Sequence, residues 1–203
     1  MDVGYLAVAC LVASLSPGPA SLATLGAGLR SGPARAQWHT LGLATAEIPV
    51  ALAALAASAW MSRWPWAPHA LAWAAVAWFG HTGVTLLLYP RDSLREEDTG
   101  IDGRAALFLR GLLVNLTNPK TLPWMLAVIQ AARVPVDNLS AATAATFVAC
   151  AVGAEGLVMA GYAGLAGTLR PRLASPEVAR AIDRITGALW IILAGLALGV
   201  ALG

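Results

Sequence analysis

The chain has 203 residues, of which 58% belong to the apolar set AVILMFWYC and only 12% are charged. A soluble domain carries roughly 45–50% apolar and about 25% charged residues. Six membrane spans of about 20 residues would use about 120 positions, which leaves no room for a separate soluble domain and excludes a nucleic-acid binder or cytosolic enzyme. The formal charge of +2 names no partner by itself.

Six apolar runs follow in chain order: Val3–Leu29, Trp38–Trp60, His69–Tyr89, Ala105–Ala131, Leu139–Leu169 and Ile185–Leu202. Each predicts a transmembrane helix. Met1-Asp2-Val3-Gly4 lacks the basic region of a cleavable signal peptide, so the first run reads as a retained span. Polar or proline-containing segments separate the runs: Arg30–Gln37, Met61–Pro68, Pro90–Arg104, Ala132–Asn138 and Arg170–Arg184. The third, with Arg91, Asp92, Arg95, Glu96, Glu97, Asp98 and Asp102, is the main hydrophilic stretch and divides the chain near its middle.

Positive charge resists translocation, so the basic residues predict orientation. The first, third and fifth loops with their flanks hold ten arginines: Arg30, Arg35, Arg91, Arg95, Arg104, Arg110, Arg170, Arg172, Arg180 and Arg184. The second and fourth hold two, Arg63 and Arg133. Odd loops are therefore expected on the cytoplasmic side and both termini outside. Trp60, Trp64 and Trp66 cluster where an interfacial aromatic belt would sit.

The halves share a plan. Each opens with a span interrupted by proline, at Ser16-Pro17-Gly18-Pro19 and at Thr117-Asn118-Pro119-Lys120. Each continues with a span bearing one glutamate, Glu47 or Glu155, and closes with a uniform apolar span. Three spans per half force the second half to enter from the opposite side, the signature of an inverted repeat. The expected fold is an all-α, polytopic membrane protein. Its single membrane domain, 1–203, would hold three-helix repeats at 1–95 and 104–203, with helices one and four broken.

Three ionisable groups other than histidine stand well inside the spans: Glu47, Lys120 and Glu155. Such groups are costly in a bilayer, normally face a bundle interior or wet cavity, and are functional candidates by default. A Glu–Lys pair that only fixes packing, or a hydrogen-bonded neutral glutamate, is the competing reading. At the first break, Pro17 and Pro19 remove backbone donors and Gly18 adds freedom, with Ser16 available as a cap. The half-helix Ala20–Leu29 would then point its N-terminus into the membrane, where free N–H groups and the dipole favour an anion. A simple kink is the alternative there. At the second break Asn118 suits a cap and Pro119 a first helical position. Lys120 then sits where its charge opposes the dipole, so a substrate carboxylate, Glu47 or Glu155 is expected beside it. The expected substrate or ion site is Ser16, Pro17, Gly18, Pro19, Glu47, Asn118, Pro119, Lys120 and Glu155.

Other features carry less. Gly187, Gly195, Gly199 and Gly203 form a small-residue seam, read as internal packing ahead of a homodimer interface. The three histidines are scattered, and His81 reads as a hydrogen-bonded packing residue. Trp73, Trp78, Trp124 and Trp190 read as lipid-facing or packing residues. Cys10 and Cys150 are too few for a disulfide framework or zinc site, and there is no CxxC, HExxH or phosphate-binding glycine loop. No metal, cofactor or nucleic-acid partner is expected.

The motifs resemble those of the LysE/RhtB amino-acid exporters. Ser16-Pro17-Gly18-Pro19 is similar to their PGP signature, and Phe108 to Lys120 (FLRGLLVNLTNPK) resembles their F…G…N…NPK stretch. Ile182-Asp183-Arg184-Ile185-Thr186-Gly187-Ala188 is similar to the opening of their last span, and Gly42 to a glycine of span two. The likeness runs through essentially the whole chain, in order and spacing. It implies a six-span inner-membrane exporter of amino acids or related metabolites, driven by protons, with an acidic residue in span two that Glu47 matches. Ala20 and Ala75 stand where the family commonly has an amide and a tyrosine, and Glu155 has no family counterpart. Alternating access around the two breaks is the expected mechanism. A scaffold that reuses the exporter fold is the alternative, and a transmembrane thiol or electron carrier a further one.

Overall fold

The computed structural model describes residues 2–15, 18–64, 66–89, 103–118, 120–173 and 176–202. Among them the regular structure is helical: α1 (Val3–Leu15), α2 (Pro19–Ser31), α3 (Pro33–Met61), α4 (Ala67–Leu88), α5 (Arg104–Leu116), α6 (Thr121–Ala131), α7 (Ala141–Leu173) and α8 (Pro176–Leu202). A 3₁₀ turn, Val136–Asn138, precedes α7. Both expected interruptions are present, since the first apolar run is divided into α1 and α2 and the fourth into α5 and α6.

Among the described residues, three segments are long and apolar enough to cross a bilayer: Pro33–Met61, His69–Leu88 and Ala141–Thr168. The pair α1 and α2, bent by 62°, makes a fourth if taken as one span. At 13 and 11 residues, α5 and α6 are each too short to cross alone.

Two expected loops are largely helix. Arg30–Gln37 contains the end of α2 and the start of α3, joined by Gly32 at φ 84°, a left-handed joint that suits glycine. Arg170–Arg184 is helical through Leu173 and again from Pro176. Apolar runs mark only the part of a helix that meets lipid, and these helices continue into charged sequence. Proline at the first helical position, Pro33 and Pro176, costs no hydrogen bond. The expected hydrophilic segment, with Arg91, Asp92, Arg95, Glu96, Glu97, Asp98 and Asp102, lies outside the described residues.

The chain groups into two compact units. The first comprises Met1–Trp60 and Glu97–Arg170. In it α1 packs on α6 and α2 on α5. Helices α3 and α5 cross backbone to backbone. A Cβ on Gly42 would strike the carbonyl oxygen of Phe108, and one on Gly111 that of His39. Apolar clusters flank this crossing, with Leu43 and Met159 in one and Leu107 and Ala163 in another.

The second unit comprises Met61–Glu96 and Pro171–Gly203 and is built on α4 against α8. Gly83 and Gly187 meet at their contact, and the Phe79 and Trp190 rings lie 5.1 Å apart. Gly187 is thus an internal packing residue. A Cβ added at Gly195 or Gly199 would meet nothing within 4 Å, and Gly203 lies outside the described residues. Trp73 and Trp78 face outward. Asp183, read from sequence as part of a loop, is a buried residue of α8.

Candidate functional site

At the first break Gly18, with an extended backbone, is the N-cap and Pro19 the first helical residue. This corrects the expected cap at Ser16. Either proline could open a helix, and the second one does. Ser21 closes the turn: its Oγ accepts from the Gly18 N–H at 2.8 Å and donates to the Gly18 carbonyl at 2.9 Å. On the other side, the Tyr162 hydroxyl donates to the Leu15 carbonyl at 3.2 Å. A carbonyl freed at the end of α1 is therefore satisfied by α7. Ser16 and Pro17 lie outside the described residues.

The second break is turned by an amide. Asn118 Oδ1 accepts the Lys120 N–H at 3.1 Å, and the Asn118 carbonyl accepts the Thr121 N–H at 3.1 Å. This corrects the expected cap: Lys120, in helical backbone, holds the N-cap position of α6 without a side-chain cap bond, and Asn118 ties the turn just ahead of it. Pro119 lies outside the described residues.

The three intramembrane charges converge. Glu47 of α3, Lys120 and Glu155 of α7 are 7%, 7% and 6% exposed, and all line one cavity with Gly18 and Asn118. The empty volume there, opening included, is about 570 Å³. Lys120 feels both carboxylates electrostatically. Pro19 begins α2 but is not among the lining residues. The apolar side of the cavity is formed by Met125, Val128, Phe147, Ala151 and Met159.

Of the polar and aromatic lining residues, Ser14, Ser21, Thr121 and Trp124 were not expected at the site from sequence, and Asn115 figured only as the first asparagine of the F…G…N…NPK stretch. Asn115 Nδ2 donates to Glu47 Oε2 at 2.6 Å and to the Leu43 carbonyl at 2.9 Å, while Oδ1 accepts from the Thr121 hydroxyl at 2.9 Å. Ser14 hydrogen-bonds Glu155. A polar residue in an apolar run within a turn or two of a break was the available signal for Ser14 and Asn115. Trp124, expected to pack or face lipid, instead lines the cavity with Lys120 Nζ 6.0 Å from its ring centroid. Its buried Nε1 has no hydrogen-bond partner among the described residues.

A second polar cluster lies behind the cavity wall in α2, α3 and α7. Thr24 Oγ1 lies 3.3 Å from His39 Nδ1, donates to the Ala20 carbonyl at 2.8 Å and lies 3.7 Å from Met159 Sδ. His39 is buried, and spacing alone did not distinguish it from the other histidines. Among the described residues no group of His, Cys, Asp or Glu is arranged to hold a metal.

Transmembrane-length helices, a bent helix pair and a cavity that gathers two carboxylates and an ammonium define a helical membrane protein. The chain belongs to the LysE type translocator family, which matches it over residues 11–200. It is therefore a multi-pass membrane protein of a transporter family, an exporter of amino acids or related small molecules. No solved structure matches the chain.

Proposed function

We propose that the protein is a proton-coupled secondary exporter that works by alternating access in the cytoplasmic (inner) membrane. The observation that carries this is the meeting of Glu47, Lys120 and Glu155 in one cavity beside both breaks. Lys120 and the start of α6 would hold a substrate carboxylate, since an ammonium at a helix N-terminus favours an anionic visitor. Glu47 or Glu155 would take the amino group or a coupling proton. Gly18 and Pro19 would contribute the opposing half-helix end, together with Ser16 and Pro17, and Pro119 would pair with Asn118 at the second. Transport needs no covalent step.

We read the fold as two inverted repeats, 1–95 and 104–203, giving six spans with both termini outside. Several features support this. Glu47 lies 14 residues after the start of α3 and Glu155 14 after the start of α7 (47 − 33 and 155 − 141). Ser14 and Asn115 are each the second-last residue of α1 and α5. Exchanging the halves turns the α1–α6 contact into α5–α2, which is also present, and returns α4–α8 to itself. Ten arginines against two favour the orientation.

The test is counterflow and proton-driven flux of labelled amino acids in proteoliposomes, with Glu47→Gln, Glu155→Gln and Lys120→Met variants. Each is expected to lose proton-driven flux, and unchanged flux in all three would sink the mechanism. A wild-type protein that moves no solute but co-purifies with a stoichiometric partner would give the scaffold reading instead.

A further inference from the structure

We infer that Asn115 is a positioning residue that holds the Glu47 carboxylate in register with the start of α6. The inference rests on the cavity being the transport site. It begins from the capacity of a primary amide, which offers two donors and a carbonyl acceptor. Both donors of Asn115 are committed to α3, one to the Glu47 carboxylate and one to the Leu43 carbonyl, a turn earlier. Its oxygen accepts from Thr121, the first residue of α6 and the neighbour of Lys120. The opposite amide orientation would set oxygen against a carboxylate and a carbonyl, so the bonding partners fix the assignment. At 1% exposure the side chain is closed off from bulk solvent, so a lost partner leaves a buried polar group unsatisfied.

The bond to Glu47, at 2.6 Å, is the shorter of the two that the amide donates. It meets α3 where that helix is least self-supporting. Pro49 supplies no N–H for the Thr45 carbonyl, so the ladder is interrupted around Glu47. One amide therefore ties the interrupted part of α3 to the last turn of α5 and the first of α6. A proton or ammonium arriving at the Glu47 carboxylate weakens that bond, and Thr121, beside Lys120, feels the change through the same side chain. Glu155 is held differently. Its partner Ser14 offers one rotatable hydroxyl, which does not fix a carboxylate as a doubly anchored amide does.

The experiment uses the full chain in proteoliposomes, with Asn115→Ala, Thr121→Val, Glu47→Gln and the Asn115→Ala/Glu47→Gln double variant. Dicyclohexylcarbodiimide labelling of Glu47 and Glu155 is followed by peptide mass spectrometry, and counterflow is measured in parallel. Asn115→Ala is expected to raise Glu47 labelling about fivefold or more, leave Glu155 labelling unchanged, and lower turnover roughly tenfold with KM within about threefold. Thr121→Val, which keeps both donors but frees the amide oxygen, gives a smaller rise in the same direction. The double variant turns over no more slowly than Glu47→Gln alone, because the two residues act as one unit. Unchanged Glu47 labelling in both Asn115→Ala and Thr121→Val, or additive losses in the double variant, overturns the inference. If the wild-type protein moves no solute, the transport reading fails while the labelling still decides the role of Asn115.

Discussion

The two breaks solve one problem with different materials. At the first, Gly18 and Pro19 turn the chain, the Ser21 hydroxyl closes the turn, and Tyr162 reaches across from α7 to satisfy Leu15. These groups are all neutral. At the second, the Asn118 amide ties the turn ahead of α6, Lys120 brings a full charge, and Asn115 gathers three neighbours. A glutamate from a second span accompanies each break, yet one is held by a doubly anchored amide and the other by a hydroxyl. The two breaks thus frame the cavity unequally, with Lys120 at the second.

The comparison can be broken most forcefully at that cation. Lys120→Met is expected to reduce counterflow roughly a hundredfold, about 3 kcal/mol of lost stabilisation, and near-normal flux would show that the charge at the second break is dispensable. The glutamates come next. Glu155→Gln is expected to abolish proton-driven flux while leaving counterflow within about tenfold, whereas Glu47→Gln lowers both. Equal behaviour of the two would remove the asymmetry. Gly111→Val forces a side chain into the His39 backbone and is expected to cost about 1–3 kcal/mol, read as a lower melting temperature in detergent.

Tyr162→Phe tests the neutral break. It removes one hydrogen bond to Leu15, worth about 1 kcal/mol, and should lower the melting temperature by about 2–4 °C. No shift would mean that the first break holds without α7. The smallest effect is expected at Gly195, where α8 has open space. Gly195→Ala should raise stability by up to about 1 kcal/mol, since alanine is the better helix former.

The breaks and the charged trio could be read from sequence because proline and charge stand out against an apolar background. Their convergence could not, since a span shows which residues are costly to bury but not which neighbour receives them. The cap at Gly18 rather than Ser16 escaped because two prolines, two residues apart, fit a first helical position equally well. Ser14, and the role of Asn115 within its motif, escaped because a neutral polar residue in an apolar run has many partners available to it. Trp124 escaped because an indole suits lipid, core and cavity alike. Asp183 was hidden by a helix that begins before its apolar stretch does.

Gly32 gives α2 mechanical consequences. The helix is a rod of 13 residues, about 20 Å long, with a glycine joint at either end. Near Gly32 the rod bears on α7, where Gly28 presses against Ala163 and Ala166. That contact lies close to one end of the rod. A tilt of about 10° around it sweeps the far end, beside Gly18, through about 3 Å. The arm is long on the cavity side and short on the other, so a small rotation at the rim is amplified where the solute would sit.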